Sequence, residues 1–115
     1  MTVTIYHNPR CSKSRQTLQL LTDHGIKPKI IEYLKNPPDK QELGRILSLL
    51  GMEPRELMRK QEKEYKVAKL DNPQLSRKDL ISAMIQHPVL IERPIVIANN
   101  KAVIGRPPEN VLEII

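Results

Sequence analysis

Cys11 is the residue of this sequence with the clearest capacity for chemistry, and it is the only cysteine among 115 residues. It lies within YHNPRCSKSR, residues 6–15, where a proline, small polar residues and three cations surround it. A thiol at the start of a helix meets unpaired backbone N–H groups and the positive end of the helix dipole. Both favour the thiolate, and nearby cations lower the thiol pKa further. The stretch therefore predicts a reactive nucleophile rather than a buried apolar side chain.

The residues that follow Cys11 restrict the reaction class. A protein-tyrosine-phosphatase loop needs arginine after five intervening residues, but that position is Thr17, and Arg15 comes two residues too early. A dithiol oxidoreductase needs Cys-x-x-Cys, and its second position is Ser14. A single cysteine also excludes a disulfide within the chain, so any resolving thiol must come from another molecule. Ser14 could still donate a hydrogen bond to the thiolate or to its ligand.

The first part of the chain predicts the elements that would place Cys11 at a helix start. Residues 2–6 predict a strand, and a helix is expected from about Ser12 to His24, with Gly25 as its C-terminal glycine. KIIEYL, residues 29–34, predicts a second strand. Strand, helix and strand in so short a segment form a βαβ unit, and Cys11 lies in its first turn.

Helical patterns fill the middle of the chain. Apolar spacing and breaker residues predict four helices, at residues 39–51, 54–60, 61–69 and 76–87, the third on a weaker pattern. Asp39 can cap the first of them, and Gly51 ends it. Ser76 and Asp79 form a capping box for the last.

The last part of the chain returns to strands. PIVIA and KAVIG predict two antiparallel strands joined at Asn99 and Asn100, because asparagine tolerates positive φ. ENVLEII predicts a short helix with Val111, Leu112 and Ile115 facing inward. The order β-α-β, helices, β-β-α is that of an α/β thioredoxin-like fold, by analogy of element order. We expect a single domain over residues 1–115 with a helical insertion over about residues 39–88.

Three arginines, Arg59, Arg93 and Arg106, are candidates for binding an anion. Arg59 ends the RELMRK helix, and Arg106 lies in the proline-braced turn GRPPE. In a thioredoxin-like sheet the residue before the third strand lies beside the active cysteine, and a proline there is usually cis. Arg93 and Pro94 occupy these positions, so Arg93 is predicted to lie next to Cys11.

Composition and hydropathy limit the partners and the cellular location that we expect for the protein. The net charge of +6 comes from basic residues spread along the chain, and three tyrosines are its only aromatic residues, which disfavours generic nucleic-acid binding. No apolar run approaches the roughly 20 residues of a membrane span, and the N-terminus has no signal-peptide pattern. We expect a cytoplasmic monomer with no membrane partner, bound metal or bound cofactor.

Four motifs together make the sequence similar to the glutaredoxin-linked arsenate reductase family, ArsC. They are IYHNPRCSKSR at the thiol, ELMRK around Arg59, QHPVLIERPIVI around Arg93 and IGRPPE around Arg106. The intervals between them match the family pattern without gaps, and the resemblance covers essentially the whole chain. The chain looks closer to the short chromosomal members than to the plasmid-borne enzymes, because Arg10 and Lys13 make its cysteine loop more basic.

The resemblance implies an enzyme in which Cys11 attacks arsenate and forms a covalent thiol-arsenate adduct. Glutathione, the co-substrate, then attacks, and glutaredoxin reduces the mixed species so that arsenite leaves. Arg59, Arg93 and Arg106 would hold the oxyanion and stabilise the thiolate. Arginine suits this task because its planar fork binds two oxygens at once and keeps its charge.

His7, Ser14 and Pro94 are predicted to support the site. His7 and Ser14 match family positions beside the thiol, and Pro94 is the proline expected to be cis. His7 could raise the local positive charge or hydrogen-bond a supporting residue, and a partly exposed loop histidine is the alternative.

Two alternatives to the arsenate reductase stay open. One is an Spx-like regulator that shares this fold and binds RNA polymerase, and the other is an ArsC-family thiol protein without arsenate activity. Spx-like proteins typically carry Cys-x-x-Cys as a redox switch, which Ser14 removes here. All three arginines of the reductase set are present, so the enzyme is favoured over the regulator.

Overall fold

The sheet of this protein has four strands, which are β1 (Val3–His7), β2 (Lys29–Glu32), β3 (Ile95–Ala98) and β4 (Lys101–Ile104). Their order in the computed structural model, which describes residues 2–115, is β2-β1-β3-β4. β1 is parallel to β2 and antiparallel to β3, and β3 is antiparallel to β4. The predicted thioredoxin-like fold class is confirmed.

Five α-helices and two 3-10 helices lie within residues 2–115. They are α1 (Ser12–Asp23), α2 (Lys40–Leu50), α3 (Pro54–Leu57), α4 (Lys63–Val67) and α5 (Arg77–Gln86), with 3-10 helices at Pro88–Leu90 and Pro108–Glu113. None of the helices in this part of the chain is long and apolar enough to cross a membrane.

The chain divides into two compact units. The sheet unit combines the sequence up to Asn36 with residues 93–115, and the helical unit is residues 37–92. The helical unit includes the region predicted as the insertion. In the sheet unit the buried side chains that pack together come from β1, α1, β3 and the C-terminal 3-10 helix, namely Val3, Ile5, Leu21, Val96, Ala98, Val111 and Ile114.

Predicted caps define the helix ends in the helical unit. The carboxylate of Asp39 accepts a hydrogen bond from the N–H of Glu42 at 2.7 Å, and Gly51 follows α2 with a left-handed φ of 66°. Ser76 and Asp79 form the predicted capping box at the start of α5. These ends are set by local hydrogen bonds, which is why residue type alone could predict them.

The β3–β4 hairpin closes at the two predicted asparagines. Asn99 and Asn100 have φ angles of 54° and 60°, and Ala98 pairs with Lys101 across the turn. Two successive residues with positive φ form the tight turn that matches the twist of the flanking strands. The hairpin prediction is confirmed.

The C-terminal segment differs from the sequence prediction. It forms a 3-10 helix, in which residues three apart share one face. Val111 and Ile114 are buried on that face, whereas Leu112 is 42% exposed and Ile115 is only partly buried. The inward orientation predicted for Leu112 is therefore wrong, because it assumed the α-helical period.

Three other elements are shorter than predicted. The second strand ends at Glu32, and the RELMRK helix ends at Leu57 because Met58 pairs with Ile91 in an isolated β-bridge. The helical pattern over residues 61–69 forms only the five residues of α4. In each case the actual element is smaller than its sequence pattern.

Gly105, which directly follows β4, lies unusually close to α1. A Cβ atom at this position would be 2.5 Å from Oγ1 of Thr17 and 2.8 Å from Cγ of Pro94. Thr17 is fully buried, and its hydroxyl donates a hydrogen bond to the carbonyl of Lys13 at 2.8 Å. The N–H of Gly105 donates to the carbonyl of Pro94 at 2.9 Å. Any larger residue must displace one of these neighbours.

We therefore expect Gly105→Ala to destabilise the protein by about 1 to 3 kcal/mol, the usual cost of inserting a methyl group into a packed core. Urea denaturation measures the free energy of unfolding. Gly44→Ala is the matched control, because a Cβ there meets nothing within 4 Å. Within α2 this control should stabilise by about 0.5 to 1 kcal/mol. Equal stability of Gly105→Ala and the parent would contradict the close packing.

Candidate active site

Cys11 lies in the turn between β1 and α1, and two hydrogen bonds to oxygen atoms of Asn8 fix that turn. The carbonyl of Asn8 accepts from the N–H of Cys11 at 3.0 Å, and its side-chain oxygen accepts from the N–H of Arg10 at 3.0 Å. Cys11 is the N-cap residue of α1, and its carbonyl accepts the first helical hydrogen bond, from Arg15, at 3.0 Å. The thiol is partly exposed. A reagent in solution can therefore reach a sulfur held at the helix start.

The surroundings of the thiol favour its ionised form. Burial raises the pKa of Cys11, but the backbone N–H of Ser14, the guanidinium of Arg93 and the backbone N–H of Lys13 oppose it, and the net pKa is lowered. The Cys11 side chain makes no hydrogen bond of capping geometry with α1. The N–H groups at the helix N-terminus favour the charged sulfur over the neutral thiol.

Two of the three predicted arginines lie with Cys11 in the sheet unit. The guanidinium of Arg93 lowers the pKa of Cys11 through hydrogen bonding and through its charge, and the Arg93–Pro94 peptide bond is cis, as predicted. Nη1 of Arg106 is 3.9 Å from the sulfur and 3.3 Å from the carbonyl oxygen of Arg93. Two guanidinium groups from distant parts of the sequence thus converge on one thiol. Their role in binding a substrate stays a prediction.

Arg59 belongs to the helical unit, where carboxylates bind it. Its Nη1 lies 3.0 Å from the carboxylate of Glu92, and its Nε lies 3.7 Å from that of Glu62. Its backbone N–H donates to the carbonyl of Leu90 at 2.7 Å. The predicted role of Arg59 in holding an oxyanion stays a prediction.

Ser14 has a different partner from the one considered in the sequence. Its side chain is fully buried, its Oγ lies 2.6 Å from Nδ1 of His7, and it accepts from the N–H of Asn8 at 3.0 Å. The hydroxyl thus holds the end of β1 against α1, and only the backbone N–H of Ser14 acts on Cys11. His7 is the last residue of β1 and is 6% exposed, so it is not a loop histidine.

His7 favours its neutral form. Burial lowers its pKa most strongly, Arg15 lowers it further, and Glu32 opposes both by raising it. A neutral imidazole adds no positive charge beside the thiol. Of the two roles predicted for His7, the structure agrees with the hydrogen bond to a supporting residue.

Sequence reasoning missed two residues that shape the site. Asn8 is not among the residues predicted from the sequence, although its side-chain oxygen accepts from the N–H of Arg10 in the turn before Cys11. No sequence pattern indicated a role for Asn110, whose side-chain amide donates to the carbonyl oxygens of Ile104 and Arg106. An asparagine three residues before the thiol is a detectable turn signal, whereas the partners of Asn110 depend on tertiary structure. Within residues 2–115 no three His, Cys, Asp or Glu side chains are grouped to hold a metal ion.

Comparison with known proteins identifies the family. A model of the ArsC family matches residues 6–114. The chain belongs to the ArsC family. This ArsC protein is 55% identical to the uncharacterized protein YfgD of Escherichia coli strain K12, a match that covers 98% of this chain and 96% of that protein. It is 52% identical to the arsenate reductase of Haemophilus influenzae strain Rd, with 100% of both chains covered.

A solved structure of similar sequence has the same fold. The arsenate reductase from Vibrio cholerae matches this ArsC chain with a TM-score of 0.97 at 53% identity, covering 100% of this chain and 98% of that one. The family predicted from the four sequence motifs is confirmed. The cysteine turn and the strand ends that bring Arg93 and Arg106 to it are therefore parts of an ArsC fold.

The ionisation of Cys11 can be tested directly. We expect its pKa to fall below the roughly 8.5 of an unperturbed cysteine and to rise in Arg93→Ala, which removes a hydrogen bond and a positive charge. Thiolate absorbance or the alkylation rate against pH measures it. Lys101→Ala is the control: Lys101 pairs with Ala98, and Ala98 pairs with Val3, at the end of β1 opposite to His7. A pKa that Arg93→Ala leaves unchanged would contradict this account.

The neutral state of His7 predicts a pH dependence of stability. Its pKa is lowered from 6.5 on folding, so the unfolded chain binds more protons than the folded one in the window just below 6.5. The stabilisation by His7 is therefore complete above that value and is lost as pH falls through the lowered pKa. Urea denaturation of the parent and of His7→Asn, from about pH 7.5 to about pH 5, should give a stability difference that shrinks with acid. A difference that does not depend on pH would show that burial of His7 does not favour the neutral ring.

Proposed function

We propose that this ArsC protein reduces arsenate to arsenite, with Cys11 as the nucleophile and with glutathione and glutaredoxin as reductants. Two similar proteins, from Haemophilus influenzae and Vibrio cholerae, are named arsenate reductases. The observation that carries the proposal is the partly exposed Cys11 of lowered pKa, with the guanidiniums of Arg93 and Arg106 beside it.

The first step is attack of the Cys11 thiolate on arsenic, which forms the sulfur–arsenic bond while a hydroxyl group of the arsenate takes up a proton from solvent and leaves as water. A thiolate about 4 Å from a divalent oxyanion is repelled by about 8 kcal/mol at an effective dielectric near 20, since one unit pair there is worth about 4 kcal/mol. Arg93 and Arg106 offset this repulsion, and each can bind two oxygens of the anion. Arg93, which lowers the pKa of Cys11, thus also favours the approach of the anion. For Arg59, participation in this step rests on the family resemblance alone.

The second step needs a sulfur from outside the chain. Reduction of arsenate to arsenite takes two electrons, which two thiols supply as they become a disulfide. Cys11 is the first thiol, and glutathione is proposed as the second because the chain has no other cysteine. Attack of glutathione on the Cys11 sulfur forms a mixed disulfide and breaks the sulfur–arsenic bond, whose electron pair leaves with arsenic as arsenite. Glutaredoxin then reduces the mixed disulfide and restores the Cys11 thiol. The partly exposed sulfur suits attack by a small thiol from solution.

The regulator alternative has weaker support. A redox switch of the Cys-x-x-Cys type needs a second thiol at position 14, which is occupied by Ser14. The serine is fully buried and bonded to His7, so it serves to hold β1 and α1 together. An ArsC-family thiol protein without arsenate activity is distinguished from the proposed enzyme by assay.

The coupled assay contains arsenate, glutathione, glutaredoxin, glutathione reductase and NADPH, and follows the loss of NADPH. Arsenate-dependent oxidation is expected, and Cys11→Ser should abolish it. Arg106→Ala should lower kcat/KM about 10- to 100-fold, the loss expected for one hydrogen bond to a charged group. The kcat/KM of Arg106→Lys should lie between the values of Arg106→Ala and the parent. Lysine keeps the positive charge but lacks the planar group that binds two oxygens at once.

Lys101→Ala is again the matched control and should leave kcat/KM unchanged. Arg59→Ala tests the arginine whose role rests on resemblance. No arsenate-dependent oxidation by folded protein with a rapidly alkylated Cys11 would overturn the proposed substrate.

A further inference from the structure

The backbone at Arg106 forms a tight turn beside the active cysteine. The N–H of Arg106 donates to the carbonyl of Ile104 at 2.8 Å, which closes a three-residue turn centred on Gly105. Arg106 itself is exposed, and its Nη1 lies 3.9 Å from the sulfur of Cys11. The side chain of Arg106 starts from this turn, so a shift of the turn moves the whole side chain relative to Cys11.

Asn110 holds that turn from the other side. Its Nδ2 lies 3.1 Å from the carbonyl oxygen of Ile104 and 3.2 Å from that of Arg106, the first and last residues of the turn. Both partners are acceptors, so the two N–H bonds of the amide must point at them, one to each. A side chain with a single donor, or with none, could not join both ends of the turn.

Asn110 is itself fixed to the core of the sheet unit. It is half-buried in the 3-10 helix Pro108–Glu113, and its backbone N–H donates to the carbonyl of Pro107 at 3.0 Å. The next residue, Val111, is fully buried in the cluster that includes β1 and α1. A continuous series of contacts thus connects the core to the backbone of Arg106 through the amide of Asn110.

We propose that Asn110 is a positioning residue, which aims the guanidinium of Arg106 at Cys11 by bonding both ends of the 104–106 turn. Its consequence for oxyanion binding rests on the proposed function, whereas its effect on the positive potential at the thiol does not. Asn110 touches neither the thiol nor the anion in this proposal. It acts only through Arg106.

The test compares alkylation of Cys11 by iodoacetate, an anion, and by iodoacetamide, which is neutral. Their rate ratio at low ionic strength reports the positive potential at the sulfur and cancels changes in thiolate fraction. Arg106→Ala should lower the ratio about fivefold, the effect of one unit charge at about 4 Å in water. Asn110→Leu, which is similar in volume but has no donors, should lower it about two- to fivefold. Gln19→Leu is the control, because it removes an exposed amide that bonds Asp23 on α1, and should leave the ratio unchanged.

The decisive comparison is the double variant Arg106→Ala/Asn110→Leu. If Asn110 acts through Arg106, its substitution lowers the ratio no further once the guanidinium is gone. A ratio unchanged in Asn110→Leu, or an equal additional fall in the double variant, would overturn the proposal. Asn110→Ser serves if Asn110→Leu does not fold, which circular dichroism reports. Absence of arsenate reduction together with the expected ratios would refute the proposed function and leave the positioning role supported.

Discussion

The negative charge on the sulfur of Cys11 is the constraint on which the arrangement of the sheet unit depends. Partial burial opposes that charge, and the N–H groups of α1 and the guanidinium of Arg93 outweigh the opposition. Each of these groups has to be held within a hydrogen-bond length, because electrostatic stabilisation in a partly exposed site falls steeply with distance and with screening. The Asn8 turn fixes the sulfur at the helix start, and the ends of β3 and β4 carry the two arginines. The turn and the strand ends thus keep hydrogen-bond donors close to the sulfur of Cys11.

The buried polar side chains that join β1 to α1 are neutral. The residues that support the fold therefore differ from those that carry positive charge beside the thiol. His7 and Ser14 form a buried hydrogen bond between β1 and α1, and the lowered pKa of His7 keeps the pair uncharged near neutral pH. A protonated imidazole in that position would need further desolvated partners, whereas a neutral pair is satisfied by its own bond. The charged groups beside Cys11 are therefore exposed or half-exposed arginines, which act together with the N–H groups of α1. Charge stabilisation and packing are assigned to different residues, so each can be altered separately.

The sequence predicted the features whose cause is local. The caps at Asp39 and Ser76, the glycine after α2 and the asparagine turn depend on hydrogen bonds or φ angles within a few residues, and all were found. The proximity of Arg93 to Cys11 followed from fold analogy rather than from periodicity. The 3-10 form of the C-terminus, the bridge at Met58 and the partner of the Ser14 hydroxyl were not predictable, because distant segments decide them. Asn110 had no sequence signal for the same reason.

Sheet register explains how arginines from the end of the chain reach a cysteine near its start. Tyr6 pairs with Ile95, and Ile95 pairs with Ile104, so the residues just before β3 and just after β4 lie at the end of β1 that leads to the cysteine turn. A slip of one residue in either pairing would turn every side chain of the shifted strand to the other face, and for β3 it would remove Val96 and Ala98 from the core cluster that they share with β1 and α1. The close approach of Gly105 to Thr17 and Pro94 fixes the same end of β4 against α1. The core therefore determines the geometry of the site. The packing that buries β3 also determines where the guanidinium groups of Arg93 and Arg106 lie relative to the thiol.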